Sequence, residues 1–235
     1  VDGVPLPVEV VTPYLAAEVA ELQIIQSADV AWVIHPNHPP YNLKRTSATA
    51  FTFTKVVFKD GKGPLRPDNL DEANQVDVVI ISGVSHTLTF DKDTLDADTA
   101  FDVGRAIRVN AGTAPDIQSW YLITSVTDQK ICIADLISGT TAGLNADDWA
   151  LGLFSDKEGP RGLTFHEGRL GYGGTAVAPD WYVLSVSDDF DNFDVRDPSL
   201  TDAENADKSI ARRLVAKDVN AVQWMASADE QLVIG

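Results

Sequence analysis

The 235-residue chain holds one cysteine, one methionine and only 18 Lys and Arg against 35 Asp and Glu. A single cysteine excludes an internal disulfide and a cysteine-built metal cluster. It lies in the apolar stretch Lys130-Ile131-Cys132-Ile133-Ala134, where a small buried hydrophobe is expected; a nucleophile would need an activating partner. The shortage of positive charge leaves a formal net of −17 and a pI near 4.4. That sign argues against conventional DNA or RNA binding and against adhesion to anionic lipid, both of which neutralise phosphates with cations. No apolar run approaches the roughly 20 residues of a membrane span, so no membrane anchor is expected. The start, Val1-Asp2-Gly3-Val4-Pro5, lacks the basic and apolar blocks of a secretory signal. Met225 as the sole methionine predicts that the chain is a piece of something longer.

What is present is ordinary globular composition, 44% hydrophobic with aromatics spread along the chain. Alternation of period two, β-branched residues and Gly/Pro/Asn/Asp turns predict an all-β fold. One helical turn or two is expected over 13–22, where Thr12 can cap, Pro13 fits the first position, and Leu15, Val19 and Leu22 share a face. A buried strand follows at 29–35, and Pro36, Pro39 and Pro40 predict its end. Further strands are expected at 43–46 and 50–58. The turn-rich stretch 61–74 reads as a linker.

Five short strands at 76–83, 85–90, 106–110, 119–127 and 130–136 suggest a small β-barrel. The last third then resumes the earlier pattern, with strands at 163–166, 169–173, 182–187, 210–216, 219–225 and 231–234. Glu167-Gly168, Lys217-Asp218 and Ala228-Asp229-Glu230 read as hairpin links. The organisation inferred is therefore a propeller-like meander over 1–70, an inserted barrel over 71–150 and a second propeller-like meander over 151–235. Charge follows these units: residues 1–68 carry a net of −1, residues 69–155 a net of −9 and residues 156–235 a net of −7. Trp32, Phe51, Phe53, Phe165, Phe190, Phe193 and Trp224 are the expected core of the meanders.

Little of the sequence points to catalysis, so the chain is expected not to be an enzyme and to need no cofactor. Asp188, Asp189, Asp191 and Asp194 offer oxygen ligands dense enough for Ca²⁺, but the central Gly and distal Glu of an EF-hand are missing. A solvated turn, with Phe190 and Phe193 plugging the core, is the preferred reading. His35 and His38 could take a metal, yet no third ligand lies near them in sequence, and a rigid packed turn is preferred. His166 beside Glu167 and Arg169 has no recognisable nucleophile. Gly171, Gly173 and Gly174 lack the strand-to-helix setting of a phosphate cradle, so close strand packing explains them. Arg161, Arg169, Arg212 and Arg213 read as partners of the abundant carboxylates.

Several stretches together resemble virion structural proteins of tailed bacteriophages. They are Val11-Thr12-Pro13-Tyr14, Gln26-Ser27-Ala28-Asp29-Val30, His35-Pro36-Asn37-His38-Pro39-Pro40 and Leu43-Lys44-Arg45. Gly159-Pro160-Arg161, Thr164-Phe165-His166, Gly173-Gly174-Thr175 and Asp189-Phe190-Asp191-Asn192-Phe193 extend the likeness, as does Asn220-Ala221-Val222-Gln223-Trp224. The stretch 102–134 resembles a small inserted barrel likened to the half-domain of ubiquitin-activating enzymes, a likeness of fold that imports no ubiquitin chemistry. The family is similar to the tail nozzle, or tail tubular, class of short-tailed phages.

The resemblance implies a six-fold homo-oligomeric ring below the portal and adaptor, closing and then conducting DNA as transient cargo. It implies a place in the virion, and in the host cytoplasm before assembly. The acidic excess then fits a conduit that repels phosphates; it equally fits a subunit kept soluble before assembly. A carbohydrate- or receptor-binding virion module, with Trp181 and Tyr182 as platform, is the alternative function. A propeller hydrolase is a third.

Overall fold

The computed structural model describes residues 8–110, 118–195, 201–215 and 221–235. The fold is all-β, built from antiparallel sheets. None of its helices among the described residues is long and apolar enough to cross a membrane. Residues 13–22 form less helix than expected, a single 3-10 turn at Val19–Glu21.

The first sheet is a consecutive meander of β1 (Gln23–Ser27), β2 (Val30–His35), β3 (His38–Arg45) and β4 (Phe51–Lys55). Strand β1 was not anticipated, because its Gln-Ile-Ile-Gln-Ser sequence lacks clean alternation. Strand β2 ends at His35, as expected, but the prolines that follow do not keep the chain out of the sheet. Pro39 and Pro40 lie inside β3, and the register shifts between Val33 and His35; a bulge is where a ladder tolerates missing N–H donors. Trp32 and Ile34 face one side of β2, whereas Ala31, Val33 and His35 face the other.

The middle unit comprises β5 (Val76–Ser82), β6 (Ser85–Phe90), β7 (Ala106–Asn110), β8 (Gln118–Val126), β9 (Ile131–Ser138) and β10 (Trp149–Leu151), in the order β10-β7-β8-β9-β6-β5. It has its own core, including Val76, Leu88, Phe90, Ile107, Tyr121, Cys132 and Trp149. The expected barrel is corrected here, because the sheet does not close. Its edge strands are β10 and β5, and they do not pair along a ladder; the segment leading into β10 meets β5 at an isolated bridge, Val76 to Ala146, and accepts from the Val78 amide at the Gly143 carbonyl at 2.8 Å. The stretch 61–74 is likewise no free linker. Leu65 is buried and bridges Gly152, and the amides of Arg66 and Asn69 donate to the carbonyls of Leu151 and Trp149. Backbone pairing along β10 thus fastens this stretch to the six-stranded sheet.

The third sheet is β11 (Gly162–His166), β12 (Arg169–Gly173), β13 (Trp181–Leu184) and β14 (Ile210–Arg213), again in consecutive order. A single helical turn, α1 (Asp202–Asn205), interrupts the path between β13 and β14. A final hairpin pairs β15 (Met225–Ala228) with β16 (Gln231–Ile234). The expected strand at 219–225 is corrected: the described residues 221–224 are not a strand. The Lys217-Asp218 link lies outside the described residues. Glu167-Gly168 and Asp229-Glu230 are two-residue turns with positive φ at both positions, the conformation that matches strand twist in tight hairpins.

The first and third sheets share one core. Trp32, Ile34 and Val56 pack with Leu163, Leu170, Tyr172, Val183 and Phe193. Trp32 makes edge-on contacts with Phe165 and Phe190, at centroid separations of 5.4 and 5.6 Å. Two of the seven expected core aromatics are exposed. Trp224 is 47% exposed because it precedes β15, and the first residue of that strand, Met225, takes the inward position instead. Phe51 lies at the end of β4, an edge strand, and is 36% exposed. Phe53 is half-buried and stacks on Tyr41 at 4.9 Å.

Glycines allow the closest approaches. A side chain at Gly171 or Gly173 would meet Leu184 Cδ2 at 2.7 Å or Met225 Sδ at 2.6 Å. Strand packing is therefore what these glycines serve, as their sequence setting predicted.

Candidate functional site

The four carboxylates of the acidic loop do not converge on one point. Asp188 has a positive φ of 56° and its amide donates to the Gly168 carbonyl at 2.7 Å. Asp189 accepts from Lys59 Nζ at 2.7 Å, which holds its carboxyl below the usual range. Asp194 pairs with Lys62 at 3.5 Å and with Lys208. Asp191 turns inward instead. Burial raises its carboxyl, and its Oδ1 has no hydrogen-bond partner. The positive charge of Lys44 partly offsets that rise, and Asp191 in turn raises the buried Tyr172 phenol further. The loop is thus a set of cross-links to neighbouring turns and loops plus one carboxylate pressed into the core.

The remaining sequence candidates are also engaged. His166 Nδ1 meets Ser227 Oγ at 2.9 Å across to β15, and Glu167 stands 4.0 Å from its Nε2. Arg169 donates to the carbonyls of Ser185 at 2.6 Å and Lys208 at 2.8 Å, and Arg212 donates to the Ala211 carbonyl at 2.8 Å. Of the four arginines expected to meet carboxylates, Arg213 does so, with Asp180 at 3.2 Å. Trp181 and Tyr182 are half-buried. The Trp181 indole donates to the Leu65 carbonyl at 3.0 Å, and Tyr182 packs beside Leu184, Val222 and Met225. A free aromatic platform is not what they form.

A buried ion pair lies within the middle unit. Arg105 pairs with Asp102 and donates through Nε to the Gly152 carbonyl at 3.1 Å. Burial first, then the nearby Arg66, lowers the Arg105 guanidinium to about 10. Arg66 in turn pairs with Glu158 at 2.5 Å.

One constellation was only half visible in the sequence. His35 ends β2, His38 opens β3, and the two rings lie 5.2 Å apart. The third group, absent near them in sequence, is Glu18 at the start of the 3-10 turn. Its Oε2 stands 3.0 Å from His38 Nε2 and accepts from the Leu15 amide at 2.8 Å. Potential ligand atoms of Glu18, His35 and His38 all lie within 4.8 Å of one another.

The Leu15 amide first, and His38 second, hold the Glu18 carboxyl down at about 2. His35 is 1% exposed, and burial lowers its imidazole. The Asn37 amide donates to its Nδ1 at 3.1 Å, but its Nε2 is buried without a partner. Tyr14 closes the group, edge-on to His38 at 5.1 Å, and its buried hydroxyl also lacks a partner. Burial raises that phenol, with Tyr41 and Glu18 adding to the effect.

Two features hold the histidines in place. They face each other across the tight β2–β3 link. Behind that link the Gly159 amide donates to the Pro36 carbonyl at 2.8 Å. The sequence signal was the His-Pro-Asn-His spacing, while Glu18 could be found only by folding 8–22 back across the sheet. No protein-family model matches this sequence, and no curated protein matches it.

Proposed function

We propose that the chain is a non-enzymatic structural subunit of a short-tailed phage tail, of the nozzle class, forming a homo-oligomeric ring below the portal and adaptor. The observation that carries the reading is architectural. Two consecutive four-stranded antiparallel meanders share one core, with a six-stranded unit inserted between them in sequence. This order supports the blade, insert, blade reading, with an open sheet in place of the barrel, and four-stranded meanders are the size of propeller blades.

The groups that could have suggested catalysis are instead committed to backbone carbonyls, hydroxyls and ion pairs. In such a ring DNA is cargo rather than ligand. Carboxylates facing the passage would repel phosphates, and the net of −9 on residues 69–155 makes that unit the candidate lining.

Negative-stain imaging of the purified protein, with mass spectrometry of purified virions, tests the reading. Rings, with the chain present in virions, are expected. A monomer absent from virions overturns it. A ring whose passage is neutral or basic removes the repulsion while leaving the structural role.

A further inference from the structure

We propose that Glu18, His35 and His38 bind one divalent transition-metal ion of the Zn²⁺ class, pinning the segment before β1 to the β2–β3 link. Two imidazoles and a carboxylate form the ligand set of an open zinc site, with three protein ligands and one position left for water. Nitrogen donors disfavour Ca²⁺ and Mg²⁺, which prefer all-oxygen shells. The spacing is close to what is needed. Two ligands at about 2.0–2.1 Å from a tetrahedral ion sit roughly 3.3 Å apart, and His38 Nε2 and Glu18 Oε2 already stand 3.0 Å apart. His35 has only to close a gap that lies within 4.8 Å.

The unmet polar atoms point the same way. A buried donor or acceptor without a partner is destabilising, and His35 Nε2 is one such atom, on a ring whose centroid lies 5.2 Å from that of His38. An ion supplies its partner, and the Tyr14 hydroxyl, also buried and unmet, belongs to a ring 6.0 Å from that of His35 and 5.1 Å from that of His38. Ligation through Nε2 requires the His35 ring proton to reside on Nδ1. The Asn37 amide must then release the 3.1 Å contact it makes there, so loading leaves a mark on one identifiable backbone amide. What the ion would cross-link is sequence-distant: Glu18 belongs to the segment before β1, whereas both histidines belong to the first sheet.

The test uses the untagged full chain, stripped with chelator and titrated calorimetrically with Zn²⁺ in excess Mg²⁺ and Ca²⁺, so that diffuse binding to a −17 chain is saturated. One ion per chain is expected, together with a tetrahedral Co²⁺ absorption spectrum and a shift of the Asn37 amide resonance. His35→Ala empties a buried position, so the decisive variant is Glu18→Gln, whose fold is checked by circular dichroism. It should weaken Zn²⁺ binding at least about tenfold, as should His38→Ala, while Asp189→Asn leaves it unchanged. No Zn²⁺ binding, binding that Glu18→Gln leaves intact, or an octahedral Co²⁺ spectrum overturns the proposal.

Discussion

Single residues in this protein are held by contacts whose consequences can be measured one at a time. Cys132 is fully buried, and burial pushes its thiol up to about 12. A disulfide reagent at pH 8 should therefore label the native protein only as fast as it opens, and the denatured protein at once; rapid native labelling would place the thiol at the surface. Gly159 has no room for a side chain, because an added Cβ would collide with the carbonyl oxygens of His35 and His38. Gly159→Ala should cost about 3 kcal/mol in urea unfolding, the scale of an overpacked interior.

Asp191 behaves in the opposite way. Its carboxyl is raised by burial, so ionisation opposes folding in full above that raised value, and the penalty shrinks as pH falls from it toward the unfolded value. Asp191→Asn should raise the melting temperature at pH 7 by about 2 °C, with the gain shrinking in acid. An unchanged melting temperature at pH 7 would show that Lys44 compensates the buried charge fully.

Elements are set by their turns more than by their strands. The hairpin of β15 and β16 closes on Asp229 and Glu230, with φ of 38° and 63°. Left-handed backbone is unfavourable for a side chain and free for glycine. Glu230→Gly should stabilise the hairpin by about 1 kcal/mol, seen as slower amide exchange in β15 and β16. Turn chemistry of this kind was legible: Glu167-Gly168 closes the hairpin read from the sequence, and β6, β7 and β12 occupy the ranges expected of them.

Two strands were not legible. Strand β1 has no alternation, and β10 is three residues long, too short to show any period. Proline misled in the other direction. Pro39 and Pro40 normally break a ladder, but the register shift near them removes the need for their missing donors.

At the scale of the whole molecule, charge governs the response to solvent. Glu18 is held down at about 2, and Asp71 and Asp189 are depressed by the ammonium groups of Lys92 and Lys59. A depressed carboxyl contributes stability that is fully present above its unfolded value, about 4, and is lost as pH falls through its folded value. Acid unfolding should therefore set in below about pH 4, and Glu18→Gln should remove part of the loss extending toward pH 2. A net charge of −17 opposes compaction at neutral pH. Moderate NaCl should raise the melting temperature at pH 7; a fall would mean that the ion pairs outweigh the repulsion.

The amino-acid order alone determined the class of fold, the position of most strands and the close-packing role of Gly171 and Gly173. These are local or periodic properties, written in spacings of two and in turn residues. Tertiary structure decided the rest. It left the six-stranded sheet open, because closure depends on whether two distant edges meet along a ladder. It exposed Trp224 and Phe51, because which face is covered depends on what packs there. It also brought Glu18 to His35 and His38, since a site assembled from both sides of a folded-back segment has no signature at any fixed spacing.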